Sequence, residues 1–121
     1  PPDRISETER VRRQAWVEKQ RRRNALRVER MVDEFGLDES TAGRFAEVLD
    51  GSLSSKVALY ESLDPAAIDE NALTTGLEDI RRMEAAGLVD LLGRARYERY
   101  HQLDEEGVFV LPEEKQHPPG R

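Results

Sequence analysis

Apolar residues recur at steps of three and four along most of the chain, the spacing of one helix face. In the clearest run, Phe45, Leu49, Leu53 and Val57 share one stripe, and Asp38 before it is a good N-cap residue. The run predicts a helix over residues 38–63. Gly51 inside it costs about 1 kcal/mol in helix propensity, which predicts a bend rather than a break.

An earlier helix is predicted over residues 6–35. Ser6 with Glu9 forms a capping-box pattern at its start, and Gly36 after Phe35 offers the left-handed position that ends many helices. Residues 18–24 of this helix contain no apolar side chain. That stretch must therefore be solvated or in contact with something polar.

A third helix of about 25 residues is expected to open at Asp64-Pro65, an N-cap followed by proline at the first helical position. Its apolar face carries one carboxylate, Glu84, with Met83 beside the face. Gly93 either stops the helix or lets it continue through Tyr97, Tyr100 and Leu103 to Gly107.

The apolar run Val108–Leu111 has two interpretations. It could add an edge strand to a partner protein, or fold back over Tyr97 and Tyr100. Pro112 stops the run, and residues 113–121 are predicted to form a disordered tail. The domain would then span residues 1–112.

These elements predict an all-α fold, an antiparallel helical hairpin or bundle of three to four helices with a short extended C-terminal tail. Because the apolar seams are narrow, a homodimer is expected to bury what one copy leaves exposed. Hairpin or dimer packing is assigned to Val28, Met31, Val32, Phe35, Phe45, Leu49, Leu53, Val57, Tyr60, Leu77, Ile80, Leu88 and Leu91.

Charge is distributed unevenly. Nine basic side chains and two carboxylates give residues 10–30 a charge of +7, and since the whole chain carries −6, the remaining residues carry −13. The basic helix could pair with acids on the second and third helices, pair with a second copy, or recruit an acidic partner. Nucleic acid is disfavoured because glutamates interrupt the basic run and no base-reading motif follows.

Residues suited to catalysis are scarce. There is no cysteine, and the two histidines are His101 at a helix end and His117 in the tail, so no general base next to a nucleophile is expected. The acidic clusters lack calcium-loop spacing and suit capping and solvation. We therefore expect neither enzyme activity nor a metal or other cofactor. No apolar run approaches the roughly 20 residues that span a bilayer.

Two similar stretches, Leu37–Phe45 and Leu92–Tyr100, each place an aromatic residue eight positions after a leucine. Their placement at helix starts resembles the paired Leu-Thr-x-x-Gln motifs of the Spy/CpxP-type periplasmic chaperones and their heavy-metal-sensing relatives. Asp38 and Gly93 stand at the threonine position, and Thr41 and Arg96 at the glutamine position. The resemblance implies a bent hairpin that dimerises into a curved cradle and binds unfolded clients or sensor proteins on a basic concave face, outside the cytoplasm and without ATP.

The leading hypothesis is thus a non-catalytic protein-binding domain, an envelope-stress chaperone or regulatory adaptor. The alternative is an assembly subunit that docks its basic helix on an acidic protein, and a nucleic-acid accessory role comes third. Because the chain starts at Pro1 without methionine, we expect a product trimmed from a longer precursor. Protein binding is assigned to Arg12, Arg13, Trp16, Arg21, Arg22, Arg23, Arg27, Val108 and Phe109.

Overall fold

The structure, a computed structural model, describes residues 2–116, with side chains from residue 7 to residue 115. It contains four α-helices: α1 (Pro2–Phe35), α2 (Glu39–Ser62), α3 (Glu70–Leu92) and α4 (Arg94–Glu105). A short 3-10 turn, Glu114–Gln116, follows. No strand occurs between residues 2 and 116, and the predicted all-α bundle is confirmed.

The second helix, α2, is the centre of the bundle. Both α1 and α3 pack along it, and α4 packs against α3. The core lies toward the end where α1 meets the start of α2, and all four helices contribute to it. Its buried residues are Met31, Leu37, Phe45, Leu49, Leu88, Leu92, Tyr100, Leu103 and Phe109.

Most of the predicted packing residues are buried or half-buried in this single chain. Tyr60 is the exception, since 36% of its surface is exposed. Met83, expected beside the apolar seam of α3, is 75% exposed because neither α2 nor α4 covers that flank of the helix.

The turn between α1 and α2 follows the sequence pattern. Gly36 has φ 63° and donates its N–H to the Val32 carbonyl at 2.8 Å, which ends α1 as predicted. Asp38 caps α2, where its side chain accepts the Thr41 N–H at 2.7 Å. This hydrogen bond holds the pKa of the Asp38 carboxyl below its usual value. The following helix runs unbroken past Gly51.

Two predicted helix starts are wrong. Ser6 lies inside α1, which already begins at Pro2, so it is not an N-cap. The third helix begins at Glu70 rather than at Pro65. The Asp64 side chain instead accepts the Ala66 N–H at 2.9 Å and closes a separate turn, and Asp69 caps α3 by accepting the N–H groups of Asn71 and Ala72.

Gly93 separates α3 from α4, which settles the alternative left open by the sequence. Its backbone (φ 85°, ψ 160°) lies in a region that residues other than glycine rarely adopt. At the far end of α4, Gly107 (φ 71°) donates to Asp104 and Val108 donates to Leu103, both at 3.1 Å. This is the Schellman pattern, and it turns the chain back toward α1.

Candidate functional site

Residues 108–115, which we name the strap, run from α4 back across α1. Arg22 binds Glu113 through two hydrogen bonds of 2.7 Å, and Arg23 binds Glu114 through bonds of 2.9 and 2.8 Å. Arg23 also donates to the Phe109 carbonyl at 2.8 Å. The predicted disordered tail is therefore wrong for residues 113–116, and residues 117–121 lie outside the described part of the chain.

The ion pairs of the strap shift the ionisation of its carboxylates. Hydrogen bonding from Arg22 lowers the pKa of Glu113 to about 2, and hydrogen bonding from Arg23 lowers that of Glu114 to about 2. Glu114 accepts a further hydrogen bond from the Leu111 N–H at 2.9 Å. Both glutamates are thus charged and engaged over the whole neutral range.

Apolar burial makes the strap a fixed part of the fold. Phe109 is 3% exposed and Leu111 is 2% exposed, and Phe109 packs against the Tyr100 ring with centroids 5.6 Å apart. Exposing two such side chains costs roughly 3–6 kcal/mol in total. A surface ion pair with a partner contributes only about 0–1 kcal/mol of binding free energy. A single ion pair with a partner therefore does not offset the cost of exposing Phe109 and Leu111.

Other charges of the basic helix are also neutralised within the molecule. Arg27 pairs with Asp104 at 3.1 Å, and Lys19 approaches Glu114 at 3.4 Å. The acids that pair with α1 across the bundle thus lie on α4 and the strap, and not on α2 and α3, which was one of the alternatives that the sequence left open. With α2, the basic helix makes one polar side-chain contact in the described region, from Asn24 to Asp50 at 3.3 Å.

The N-terminal half of α1 is different. Among the described side chains, no carboxylate lies within 4.0 Å of a guanidinium nitrogen of Arg12 or Arg13. Arg21 has one exposed ion pair, with Glu18 on the same helix at 3.1 Å. Arg10 and Arg30 are exposed and also have no ion pair among the described side chains, so the unpaired positive charge of α1 lies near its other end at Arg30 and mainly at Arg10, Arg12 and Arg13.

A groove begins beside these arginines. We name its first part the apolar compartment, a space of about 410 Å³ between α1 and the α2–α3 linker. Trp16 and Tyr60 meet there edge to face, with ring centroids 5.9 Å apart and planes at 87°. Its lining residues are Glu9, Arg12, Arg13, Trp16, Tyr60, Leu63, Pro65 and Ile68.

The groove continues beyond the Trp16–Tyr60 pair, because both residues also line a second space of about 390 Å³. We name this the polar compartment. All four helices contribute to it, including Arg27, Lys56, Arg81, Glu84 and Asp104. Burial raises the pKa of the Glu84 carboxyl, while Lys56 and Arg27 act in the opposite direction.

The predicted binding residues fall into three groups. Arg12, Arg13 and Trp16 line the apolar compartment, and Arg21 lies further along α1, where it pairs with Glu18. Arg22 and Arg23 hold the strap, and Arg27 pairs with α4. In the third group, Val108 is half-buried and Phe109 is in the core, so the run folds back over Tyr100 and forms no strand.

Sequence reasoning missed the opposite wall of the groove. Leu63, Pro65 and Ile68 belong to the linker after α2, and Ile68 keeps 53% of its surface exposed. The sequence did contain one signal of this wall, because Ile68 is an apolar residue in a linker, outside the helical repeat. Lys56 and Arg81, which line the polar compartment, were not singled out either.

His101 contacts Glu105 on the same helix at 2.6 Å, in the arrangement of a helix-surface pair, and His117 lies outside the described residues. From residue 2 to residue 116, no group of three histidine, aspartate or glutamate side chains could hold a metal ion. No helix in this range is sufficiently long and apolar to cross a membrane.

Comparisons with known proteins assign no family to this chain. No protein-family model matches the chain, and neither a curated protein nor a solved structure does. The resemblance to Spy/CpxP-type proteins therefore stays a prediction based on the two leucine-aromatic stretches.

Proposed function

We propose that this chain is a non-catalytic protein-binding domain whose groove takes an acidic partner segment that also carries apolar side chains. One observation supports this most strongly. The strap and α4 neutralise Arg22, Arg23 and Arg27, whereas Arg12 and Arg13 have no described carboxylate within 4.0 Å and border an apolar compartment. Positive charge beside exposed apolar surface suits a segment of the opposite charge.

The strap indicates the chemistry that α1 accepts. It buries Phe109 and Leu111 and then presents two glutamates to arginines of α1. Residues eleven apart on a helix lie on nearly the same face, three turns and about 16 Å along the axis. Arg12 therefore repeats the position of Arg23, and Trp16 repeats that of Arg27. A second apolar-then-acidic segment would find similar charge and more aromatic surface there.

Calorimetric titration of the full chain tests this proposal. The probe is a synthetic peptide with the sequence of residues 107–116, and its counterpart carries lysine at the two glutamate positions. We expect the acidic peptide to bind and the basic peptide not to bind. The double variant R12E/R13E should weaken binding at least about tenfold, equivalent to roughly 1.4 kcal/mol.

A matched control separates local contact from total charge. The variant R44E/R94E makes the same charge change at exposed positions that do not line the groove. It should leave the affinity within about twofold. Equal losses in both double variants, or equal binding of the two peptides, would contradict the proposal.

A Spy/CpxP-like envelope chaperone is the second candidate function. It is supported by apolar side chains that are exposed to solvent, since Val11 is 61% and Met83 75% exposed. In that case the protein would act outside the cytoplasm as a homodimer and hold unfolded clients. Failure to suppress aggregation of a reduced, unfolded client would remove this candidate, and a monomer by light scattering at micromolar concentration would remove the dimer.

A further inference from the structure

The α1–α2 pair has a second long side, on the flank of α1 that carries Val17 rather than Trp16. Two spaces of about 260 and 640 Å³ lie along this side, and both are lined by Val17, Arg21 and Val57. All of their lining residues belong to α1 or α2, so neither α3, α4 nor the strap covers this surface in the described part of the chain. We name it the outer face.

Charge on the outer face is divided between its two helices. The α1 side has three arginines and one glutamate, and the α2 side has two acids and no basic residue, so the two sides carry net charges of +2 and −2. These groups are Arg10, Arg13, Glu18 and Arg21 on α1, and Asp50 and Glu61 on α2. Among the described side chains, the only ion pair within this set is the exposed one between Arg21 and Glu18.

The opposite charges lie at matching levels along the two helices, because α1 and α2 pack antiparallel. Arg10 lines the same space as Glu61, near the start of α1 and the end of α2. Arg21 lines the same space as Asp50, about 16 Å further along the α1 axis. Each basic group of the α1 side thus has an acidic group at its own level on the α2 side.

A second copy can cover the outer face through a twofold axis in either of two directions. An axis across the helices stacks α1 on the partner's α1, which places positive charge on positive charge. An axis along the helices places α1 on the partner's α2 with every residue at an unchanged level. Arg10 then faces the partner's Glu61, Arg21 faces the partner's Asp50, and the symmetry repeats both pairs. Electrostatic complementarity therefore selects the axis along the helices.

The size of the outer face suits a weak dimer. Two neighbouring helices and the reach of the arginine side chains make it roughly 20 Å by 20 Å. Two copies would then bury on the order of 1,000 Å² in total, which is the range of weak and transient interfaces. Val17 and Val57 are half-buried and Leu53 is 7% exposed, so the centre of this face is apolar and its edges are charged.

We propose that the outer face is a homodimer interface, in which α1 of each copy lies on α2 of the other and the twofold axis runs along the helices. Val17 and Val57 of the two copies meet at its centre, and the ion pairs at its edges fix the orientation. Trp16 is on the other side of α1, so the apolar compartment remains open in this dimer. The interface is therefore independent of the segment that the groove binds.

Charge reversal in separate chains tests the pairing. R10E/R21E reverses the α1 side, and D50R/E61R reverses the α2 side. Each double variant alone should dimerise at least about tenfold more weakly than the parent in sedimentation velocity, equivalent to roughly 1.4 kcal/mol. Their equimolar mixture should form a heterodimer of nearly parental affinity, because each reversed side then meets its opposite. R10E and E61R provide the same mixing test with single changes at exposed residues, should a double variant fail to fold.

Matched controls separate the interface from total charge. R44E/R94E and E78R/E98R make the same changes of net charge at exposed positions that do not line the outer face. Alone or mixed, these variants should dimerise within about twofold of the parent. Weakening equal to that of R10E/R21E and D50R/E61R would contradict the assignment to the outer face.

Salt gives an independent readout of the direction of the twofold axis. Added sodium chloride should weaken a dimer held by opposite charges, whereas α1 stacked on α1 would dimerise more tightly once its like charges are screened. A parent chain that stays monomeric throughout the micromolar range would overturn the proposal. So would a dimer that salt strengthens, or a mixture of the two reversed variants that forms no more dimer than either variant alone.

Discussion

The indole ring of Trp16 on α1 meets the phenol ring of Tyr60 on α2 edge to face, with centroids 5.9 Å apart. The pair lies where the apolar and polar compartments join. It also connects the N-terminal half of α1 to the bundle, at a distance from the main core around Phe45. Order in the groove therefore depends on this contact.

A double-mutant cycle on this pair should measure the connection. Trp16→Ala and Tyr60→Ala should each destabilise the fold, with a coupling free energy of about 0.5–1.5 kcal/mol in urea denaturation. Tyr60→Ala combined with Phe35→Ala is the control, because these residues share no described aromatic contact and should be additive within about 0.5 kcal/mol. Additive effects of the Trp16 and Tyr60 changes would contradict the contact.

The strap should make stability depend on acid. Because the pKa of Glu113 and of Glu114 falls to about 2 in the folded state, the unfolded chain binds protons first as the pH drops. Their contribution is complete above about pH 4.5 and is lost between there and about pH 2. The variant E113Q/E114Q should be less stable than the parent at pH 7, and this difference should shrink steadily as the pH falls from about 4.5 to about 2.

Glu98→Gln is the control for the strap, since Glu98 is exposed on α4 and has no ion pair in the described region. Its effect on the free energy of unfolding should be small at either pH. If E113Q/E114Q behaved like E98Q across the whole range, the strap would not be held by its ion pairs.

Glu84 should show the opposite pH dependence. Burial raises its folded-state pKa, so the folded protein binds the proton more tightly than the unfolded chain. Its ionisation then costs stability as the pH rises above the unfolded value of about 4.5. Glu84→Gln should stabilise the protein at pH 7, and this gain should shrink toward pH 4.

Glu78→Gln, an exposed change on the same helix, is the matched comparison in urea titrations at both pH values. It should produce no pH-dependent gain. A destabilised E84Q variant at pH 7 would mean that the Glu84 charge is compensated by its neighbours rather than penalised by burial.

Two glycines should respond to alanine in opposite directions. Gly93 has φ 85° and ψ 160°, a conformation that is strained for any residue with a Cβ, so Gly93→Ala should cost about 1–3 kcal/mol. Gly43 lies inside α2 with nothing within 4 Å of an added Cβ, and Gly43→Ala should stabilise by about 0.5–1 kcal/mol. Thermal unfolding compares them directly, and similar shifts of both variants would contradict the separation of α3 from α4 at Gly93.

The sequence predicted the helices well where an apolar stripe is buried along the length of the helix. Phe45 and Leu49 repeat at helical spacing because α2 is packed along its length, and both are buried. Helix starts were harder to predict, because Asp64 and Asp69 are equally good caps by residue type. In the structure Asp64 accepts the Ala66 N–H and closes a separate turn, which leaves Asp69 as the cap of α3. This difference comes from the local turn and is not visible in the residue types.

The site was predictable only in part. Composition located the basic helix, but it could not show which arginines remain available. That depends on Glu113 and Glu114, some 90 residues away in the chain, in a segment whose polarity indicated disorder. Long-range pairing of charges leaves no local periodicity, so the strap could not be recognised from the pattern of residues alone.

The central claim is that the strap neutralises Arg22 and Arg23 whereas Arg12 and Arg13 beside the groove remain available, and Trp16, the one tryptophan of the chain, reports on it. The decisive measurement is acrylamide quenching of tryptophan fluorescence with and without the acidic peptide of residues 107–116. Occupancy of the groove predicts at least a twofold lower quenching constant with that peptide and no change with its lysine counterpart. An unchanged quenching constant at peptide concentrations that saturate binding would place the partner elsewhere and contradict the claim.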